Sequence, residues 1–108
     1  MNWPDDVDGD VLRRMEASGF DFLQPHVVQF EIEFESWPPP EDAIDALRNR
    51  FGEVVIFDEE AGGYLEFEVC ARVSYDLVMT TQQVASDLMA PFGGTCESWG
   101  VLVKPRVA

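Results

Sequence analysis

The sequence predicts an α+β fold in which helices cover one face of a four-stranded, mainly antiparallel sheet. Segments with a hydrophobic period of two alternate along the chain with segments whose apolar residues recur at helical spacing. Glycine or proline separates most neighbouring segments, as expected where elements end. The 108 residues are 46% hydrophobic, so we expect one core and a single domain spanning residues 1–108.

Four strands are predicted, at residues 28–35, 53–57, 64–73 and 95–103. The first and third show the clearest alternation, with apolar residues facing one way and glutamates facing the other. The second strand is short and apolar. Residues 58–63 would form the turn that joins it to the third strand in a hairpin.

Three helices are predicted, at residues 9–18, 41–51 and 81–92. Asp8 or Asp10 is the expected N-cap of the first helix. Gly19 and Gly52 follow the first two helices, where a glycine commonly ends a helix. Residues 36–40 include three consecutive prolines and would form an extended connector.

After the first helix the order is β-α-β-β-α-β, which predicts the split βαβ, or ferredoxin-like, sandwich with an extra N-terminal helix. In this topology the first and third strands are central neighbours, and both crossover helices cover the same face of the sheet. The opposite face would then be open. Glu31, Glu33 and Glu35 on one strand would lie close to Glu66 and Glu68 on the other.

The five glutamates on the open sheet face admit three interpretations. Like charges that face each other across strands destabilise a sheet, so docking of a basic protein segment is one reason to keep them. The face could instead be solvated and without function, because water screens the charges. A cation site is the third interpretation, although alternation along the strands spreads the carboxylates apart.

The net charge restricts the classes of partner. Seven lysines and arginines stand against 21 aspartates and glutamates, which gives a formal net charge of −14. Nucleic-acid backbones and anionic membranes would be repelled, so we expect neither as a direct partner. A basic protein surface would be attracted, although the charge could also act only to maintain solubility.

The sequence shows no constellation of residues that indicates catalysis. His26 is the only histidine, and Cys70 and Cys96 lie far apart and form no CxxC pair. We therefore predict a protein that is not an enzyme and carries no metal or cofactor. Two separate cysteines in a chain with this core favour a reduced, cytoplasmic environment, and the N-terminal residues do not resemble a signal peptide.

The third predicted helix would turn Val84 and Leu88 inward, with Met89 or Phe92 as a further candidate, and end at Gly93 and Gly94. The strand that follows carries Trp99, which this topology places at the edge of the sheet. A half-exposed indole there could anchor a partner, or the ring could pack in the core.

Three segments carry a family resemblance: Asp8-Gly9-Asp10-Val11-Leu12, Gly19-Phe20-Asp21 and Phe92-Gly93-Gly94-Thr95-Cys96-Glu97-Ser98-Trp99-Gly100. With these and the extended segment 25–34, the chain resembles the RraB family, the inhibitory regulators of ribonuclease E, over about residues 8–103. The family pattern before the Trp-Gly pair is usually aromatic-Asp-Gly. This chain has Cys96-Glu97-Ser98 in that place.

The resemblance implies a ferredoxin-like sandwich and a non-enzymatic, acidic cytoplasmic protein. It also implies binding to the arginine-rich C-terminal scaffold region of ribonuclease E, and so an effect on mRNA decay. Better-known members carry an acidic C-terminal tail, whereas this sequence ends with Lys104-Pro105-Arg106-Val107-Ala108, so no contact of such a tail is expected.

The predicted function is a regulatory protein that binds another protein and inhibits or modulates ribonuclease E. The expected protein-binding residues are Glu31, Glu33, Glu66, Glu68, Gly93, Gly94 and Trp99. Two alternatives use the same fold: a small-molecule sensor, and a self-associating domain that forms homo-oligomers through its edge strands.

Overall fold

Three helices and a four-stranded sheet make up the part of the chain that the structure, a computed structural model, describes: residues 3–59 and 62–102. The helices are α1 (Val7–Ala17), α2 (Glu41–Phe51) and α3 (Tyr75–Met89), followed by a 3₁₀ turn at Ala90–Phe92. The strands are β1 (Pro25–Phe34), β2 (Val54–Glu59), β3 (Gly62–Arg72) and β4 (Gly94–Leu102). The predicted α+β class and the order of elements are confirmed.

The sheet has the order β2-β3-β1-β4, and each neighbouring pair is antiparallel. β1 therefore lies between β3 and β4, as the split βαβ arrangement requires. Where β1 pairs with β4, the register shifts between Glu31 and Ile32, so Glu97 is an extra residue on β4. β4 and β2 form the two edges of the described sheet.

The apolar faces of β1 and β3 form the centre of the core. Phe30 and Ile32 on β1 and Leu65 on β3 are fully buried, and Phe67 is 1% exposed. The rings of Phe30 and Phe67 stack with their centroids 5.3 Å apart, and Phe51 of α2 stacks on Phe67 at 4.1 Å. The alternation of the two strands thus correctly predicted which side chains face the helices.

Helix α1 begins earlier than predicted because its N-cap is Asp6, not Asp8 or Asp10. The Asp6 Oδ1 atom accepts a hydrogen bond from the backbone N–H of Gly9 at 2.7 Å. Gly19 follows the helix with a φ of 85°, so its predicted place beyond the C-terminus is confirmed.

Helix α3 also begins well before its predicted start at residue 81. The Oγ atom of Ser74 accepts a hydrogen bond from the backbone N–H of Leu77 at 3.0 Å and caps the helix. The buried apolar residues of α3 are Val78, Ala85 and Met89. Val84 and Leu88, predicted to point inward, are only partly buried, whereas Met89, a further candidate, is fully buried. The prediction began at residue 81 and so did not include Val78, which belongs to the buried face.

Strands β2 and β3 pair beyond their predicted ends. Asp58 pairs with Gly63 and Glu59 pairs with Gly62, so these four residues extend the ladder and the turn predicted at 58–63 was too long. Residues 60 and 61, and the C-terminal residues 103–108, lie outside the described residues. Among the helices within 3–59 and 62–102, none is long and apolar enough to cross a membrane.

We expect Ser74→Ala to lower the free energy of unfolding by about 1 kcal/mol, because the Leu77 N–H loses its acceptor at the start of α3. Ser98→Ala, at an exposed position of β4, is the matched control and should change stability by less than about 0.5 kcal/mol. Urea denaturation measures the free energy of unfolding of the two variants. Equal effects of the two substitutions would contradict the capping role.

Candidate functional site

Four glutamates lie together on the sheet face opposite the buried rings. Glu31 of β1 is directly opposite Glu66 of β3. Glu33 and Glu68 lie one step away on the same face, Glu33 further along β1 and Glu68 further along β3. We call Glu31, Glu33, Glu66 and Glu68 the acidic face. The structure brings these four predicted residues together.

The acidic face is electrostatically unfavourable in the isolated protein. Partial burial, with repulsion from Glu31 and Glu68, raises the pKa of Glu66. The ion pairs found among residues 3–59 and 62–102 belong to Arg13 on α1 and involve none of these glutamates. Within the same residues no group of side chains is arranged to hold a metal ion, so the cation-site interpretation finds no support there.

Aromatic and aliphatic side chains border the acidic face on the side of β2. The rings of Phe57 and Tyr64 stack with centroids 4.7 Å apart, and Val55, opposite Glu66, is 40% exposed. Partial burial and the nearby charges of Glu31 and Glu66 raise the pKa of Tyr64. The surface therefore places apolar contacts beside carboxylates, which suits side chains with an apolar stem and a cationic end.

Trp99 lies on the other side of the sheet from the acidic face. It pairs with Phe30, so its partly buried ring points toward the helices. Its Nε1–H donates to Asp8 Oδ1 at 2.8 Å, and Gln82 donates to Asp8 Oδ2 at 3.3 Å. The indole thus ties the start of α1 to β4. The two predicted binding regions are separate surfaces.

Gly93 and Gly94 shape the backbone that enters β4. Gly93 ends the 3₁₀ turn in the left-handed region, with a φ of 75°, and its carbonyl accepts from the N–H of Glu35 at 3.0 Å. A Cβ on Gly94 would lie 2.7 Å from the ring of Phe34 and 2.8 Å from the Cβ of Met89. Both glycines therefore have a structural role, and a part in binding stays a prediction.

An apolar groove separates α1 from β4 on the helix side of the sheet. Its volume is about 300 Å³. It is lined by Val11, Met15, Phe20, Trp99, Gly100 and Val101. Trp99 therefore lies at an apolar groove, and none of the four glutamates of the acidic face lines this groove.

The hydrogen bonds made by the aspartates at the start of α1 could not be predicted from the sequence. Besides capping α1, Asp6 accepts at Oδ2 from the hydroxyl of Tyr75 at 2.5 Å. This bond, followed by that from the Gly9 N–H, lowers the pKa of Asp6. A helix cap can be predicted from neighbouring residues. Tyr75 and the two residues that donate to Asp8 lie far along the chain, so the local sequence does not indicate these bonds.

The histidine and Cys70 lie on neighbouring positions of β1 and β3, but alternation puts their side chains on opposite faces of the sheet. His26 donates from Nε2 to the carbonyl oxygen of Asp21 at 2.9 Å, and its ring packs on that of Phe20. Cys96 is buried on the helix side of β4, and burial raises the pKa of its thiol to about 12. Cys70 is exposed, and both thiols are free. These contacts favour structural roles for His26 and Cys96.

The comparison with known families covers nearly the whole chain. The model of the RraB family, described as regulator of ribonuclease activity B, matches residues 5–101. The chain belongs to this family. No curated protein and no solved structure matches the chain. RraB membership confirms the resemblance noted in the sequence and indicates a regulator of ribonuclease activity.

Removing the charge of Glu66 should stabilise this RraB-family protein at neutral pH. Folding raises the pKa of Glu66 above the ordinary 4.5, so the ionised carboxylate disfavours the folded state once the pH exceeds the folded-state pKa. Glu66→Gln should therefore raise the melting temperature at neutral pH. The gain should disappear below pH 4.5, where the carboxyl is protonated in both states.

Asp45→Asn is the control for net charge, because Asp45 is exposed on α2, on the helix side of the sheet. It should leave the melting temperature nearly unchanged. Equal gains for the two variants, or a gain for Glu66→Gln that persists at low pH, would argue against local repulsion on the acidic face.

Trp99→Phe should lower the free energy of unfolding by about 1–2 kcal/mol, because it removes a charge-assisted hydrogen bond to Asp8 and keeps an aromatic ring. Trp3→Phe is the matched control, since the Trp3 ring packs on Phe22 with centroids 5.3 Å apart. Chemical denaturation compares the two. A similar loss of unfolding free energy in both variants would show that the smaller ring, and not the lost hydrogen bond, causes the effect.

Proposed function

We propose that this protein is a non-catalytic, cytoplasmic regulator that binds a basic segment of ribonuclease E through the acidic face and so inhibits or modulates mRNA decay. The observation that carries the proposal is the direct opposition of Glu31 and Glu66 on a sheet face away from the helices. Membership in RraB supports a ribonuclease as the regulated enzyme.

The opposed glutamates favour a basic partner because they are unfavourable without one. Like charges directly opposite each other cost a sheet about a few tenths of a kcal/mol per pair. Threonine or lysine at any of these positions would remove the repulsion with little loss of sheet propensity. A cationic segment lying across β1 and β3 would replace repulsion with attraction, so binding would relieve a cost that the free protein carries.

The net charge of −14 extends this attraction beyond the contact surface. It would steer a basic segment toward the protein and repel RNA, so the protein would act on the ribonuclease and not on its substrate. A basic segment that is covered by the acidic face is withdrawn from RNA. That competition gives a route to inhibition that requires no catalytic residue.

A second candidate function rests on the apolar groove beside Trp99. Its volume of about 300 Å³ is near the lower limit for small-molecule sites, which are mostly apolar with a few polar groups. A sensor of small apolar ligands would use this groove and not the acidic face. A thermal-shift screen with metabolites separates the candidates, because only the sensor would gain stability.

Reversing two charges on the acidic face should weaken binding by on the order of tenfold or more. The variant is Glu33→Lys with Glu68→Lys. The partner is the arginine-rich C-terminal region of the ribonuclease E from the same organism. Calorimetric titration at low and high salt measures the affinity, and wild-type binding should weaken markedly with salt.

The matched control is Asp45→Lys with Asp87→Lys, which makes the same change in net charge at exposed positions on α2 and α3. It should retain most of the wild-type affinity. Equal weakening by both double variants would indicate that only total charge matters. Unchanged affinity of a folded Glu33→Lys, Glu68→Lys protein would remove the acidic face as the binding surface.

A further inference from the structure

A cleft opens beside the acidic face, between the end of β1 and the β2–β3 hairpin. Its volume is about 340 Å³. Carboxylates and aromatic rings line it: Glu33, Glu35, Glu59, Trp37 and Tyr64. Because Glu33 belongs to the acidic face and Tyr64 borders it, a segment lying along that face would reach the cleft.

Trp37 forms a fixed wall of the cleft. Its Nε1–H donates to Asp58 Oδ1 at 2.9 Å. Its ring lies against the backbone of Gly63, where an added Cβ would come within 2.6 Å of the ring and 2.2 Å of the carbonyl oxygen of Phe57. Only glycine permits this approach, so the ring is positioned before any ligand binds.

Tyr64 supplies the second ring of the cleft. It stacks on Phe57 at 4.7 Å and pairs with Glu33 across β3 and β1. The carboxylates of Glu33, Glu35 and Glu59 are exposed, and the ion pairs found within residues 3–59 and 62–102 include none of them. The cleft therefore combines negative charge with two supported aromatic surfaces.

We propose that this cleft receives an arginine side chain of the basic partner, an inference that rests on the proposed function. A guanidinium is planar, stacks on aromatic rings and donates two parallel hydrogen bonds to one carboxylate. A lysine ammonium carries the same charge but is compact, more strongly hydrated and unable to stack in this way.

The acidic face and the cleft would then recognise different properties of the partner. The acidic face, with its opposed Glu31 and Glu66, responds to the charge of the partner. The cleft, with Trp37 and Tyr64, responds to the identity of the basic residue. Selectivity for arginine over lysine is the property that distinguishes them.

Two peptides of equal length and charge test the inference, one with arginine and one with lysine at every basic position. Calorimetry with the wild-type protein should show the arginine peptide binding about five- to tenfold more tightly. Trp37→Leu should reduce this preference to about twofold or less by weakening only the arginine complex. Tyr64→Leu should act in the same way and serves if Trp37→Leu does not fold. Trp3→Leu is the matched control, because the Trp3 ring packs on Phe22 and belongs to neither the acidic face nor the cleft, and it should keep the preference.

The outcomes separate the cleft from the function on which it rests. Failure of both peptides to bind the wild-type protein would overturn the proposed function itself. Equal, salt-sensitive binding of both peptides would support the acidic face as a binding surface and overturn the arginine cleft. Proportional weakening of both peptides by Trp37→Leu would also overturn the cleft, because the ring would then only shape the surface.

Discussion

The alternation of side chains along β1 is the constraint on which the rest of the structure depends. Phe30 and Ile32 are buried against the helices, so Glu31 and Glu33 must point to the opposite face. The antiparallel register with β3 then sets Glu66 against Glu31. The core thus fixes the positions of the carboxylates without using them, and the acidic face can change its chemistry while the packing of the sheet is retained.

The chain uses its acidic residues in two opposite ways. At the start of α1, Asp6 and Asp8 accept hydrogen bonds from backbone and side-chain donors, and the pKa of Asp6 is lowered. On the sheet, Glu66 faces other carboxylates and its pKa is raised. The first group stabilises the fold, and repulsion within the second group weakens it.

Hydrophobic periodicity and the residues that end helices predicted the helices, the strands and the buried faces of the strands. Contacts between residues far apart in the chain could not be predicted from these local patterns. Helix α2 was predicted at its observed bounds, because a proline connector and Gly52 mark both ends. The start of α3 was missed, since Ser74 is one of several residues able to cap a helix there. The bond between Trp99 and Asp8 joins opposite ends of the chain, and the contact of Trp37 with Gly63 depends on tertiary packing. Neither leaves a signal in spacing or composition.

The extra residue on β4 determines which way its tryptophan points. Cys96 pairs with Ile32 and Trp99 pairs with Phe30, so both lie on the helix side although an odd number of positions separates them. In an uninterrupted strand two such residues would lie on opposite faces. The bulge at Glu97 changes the phase of the strand by one residue. Loss of one residue at this point would remove the bulge and leave Trp99 opposite Phe30 on the helix side. A strand that kept every residue but lost the bulge would instead turn the indole out among the glutamates and away from Asp8.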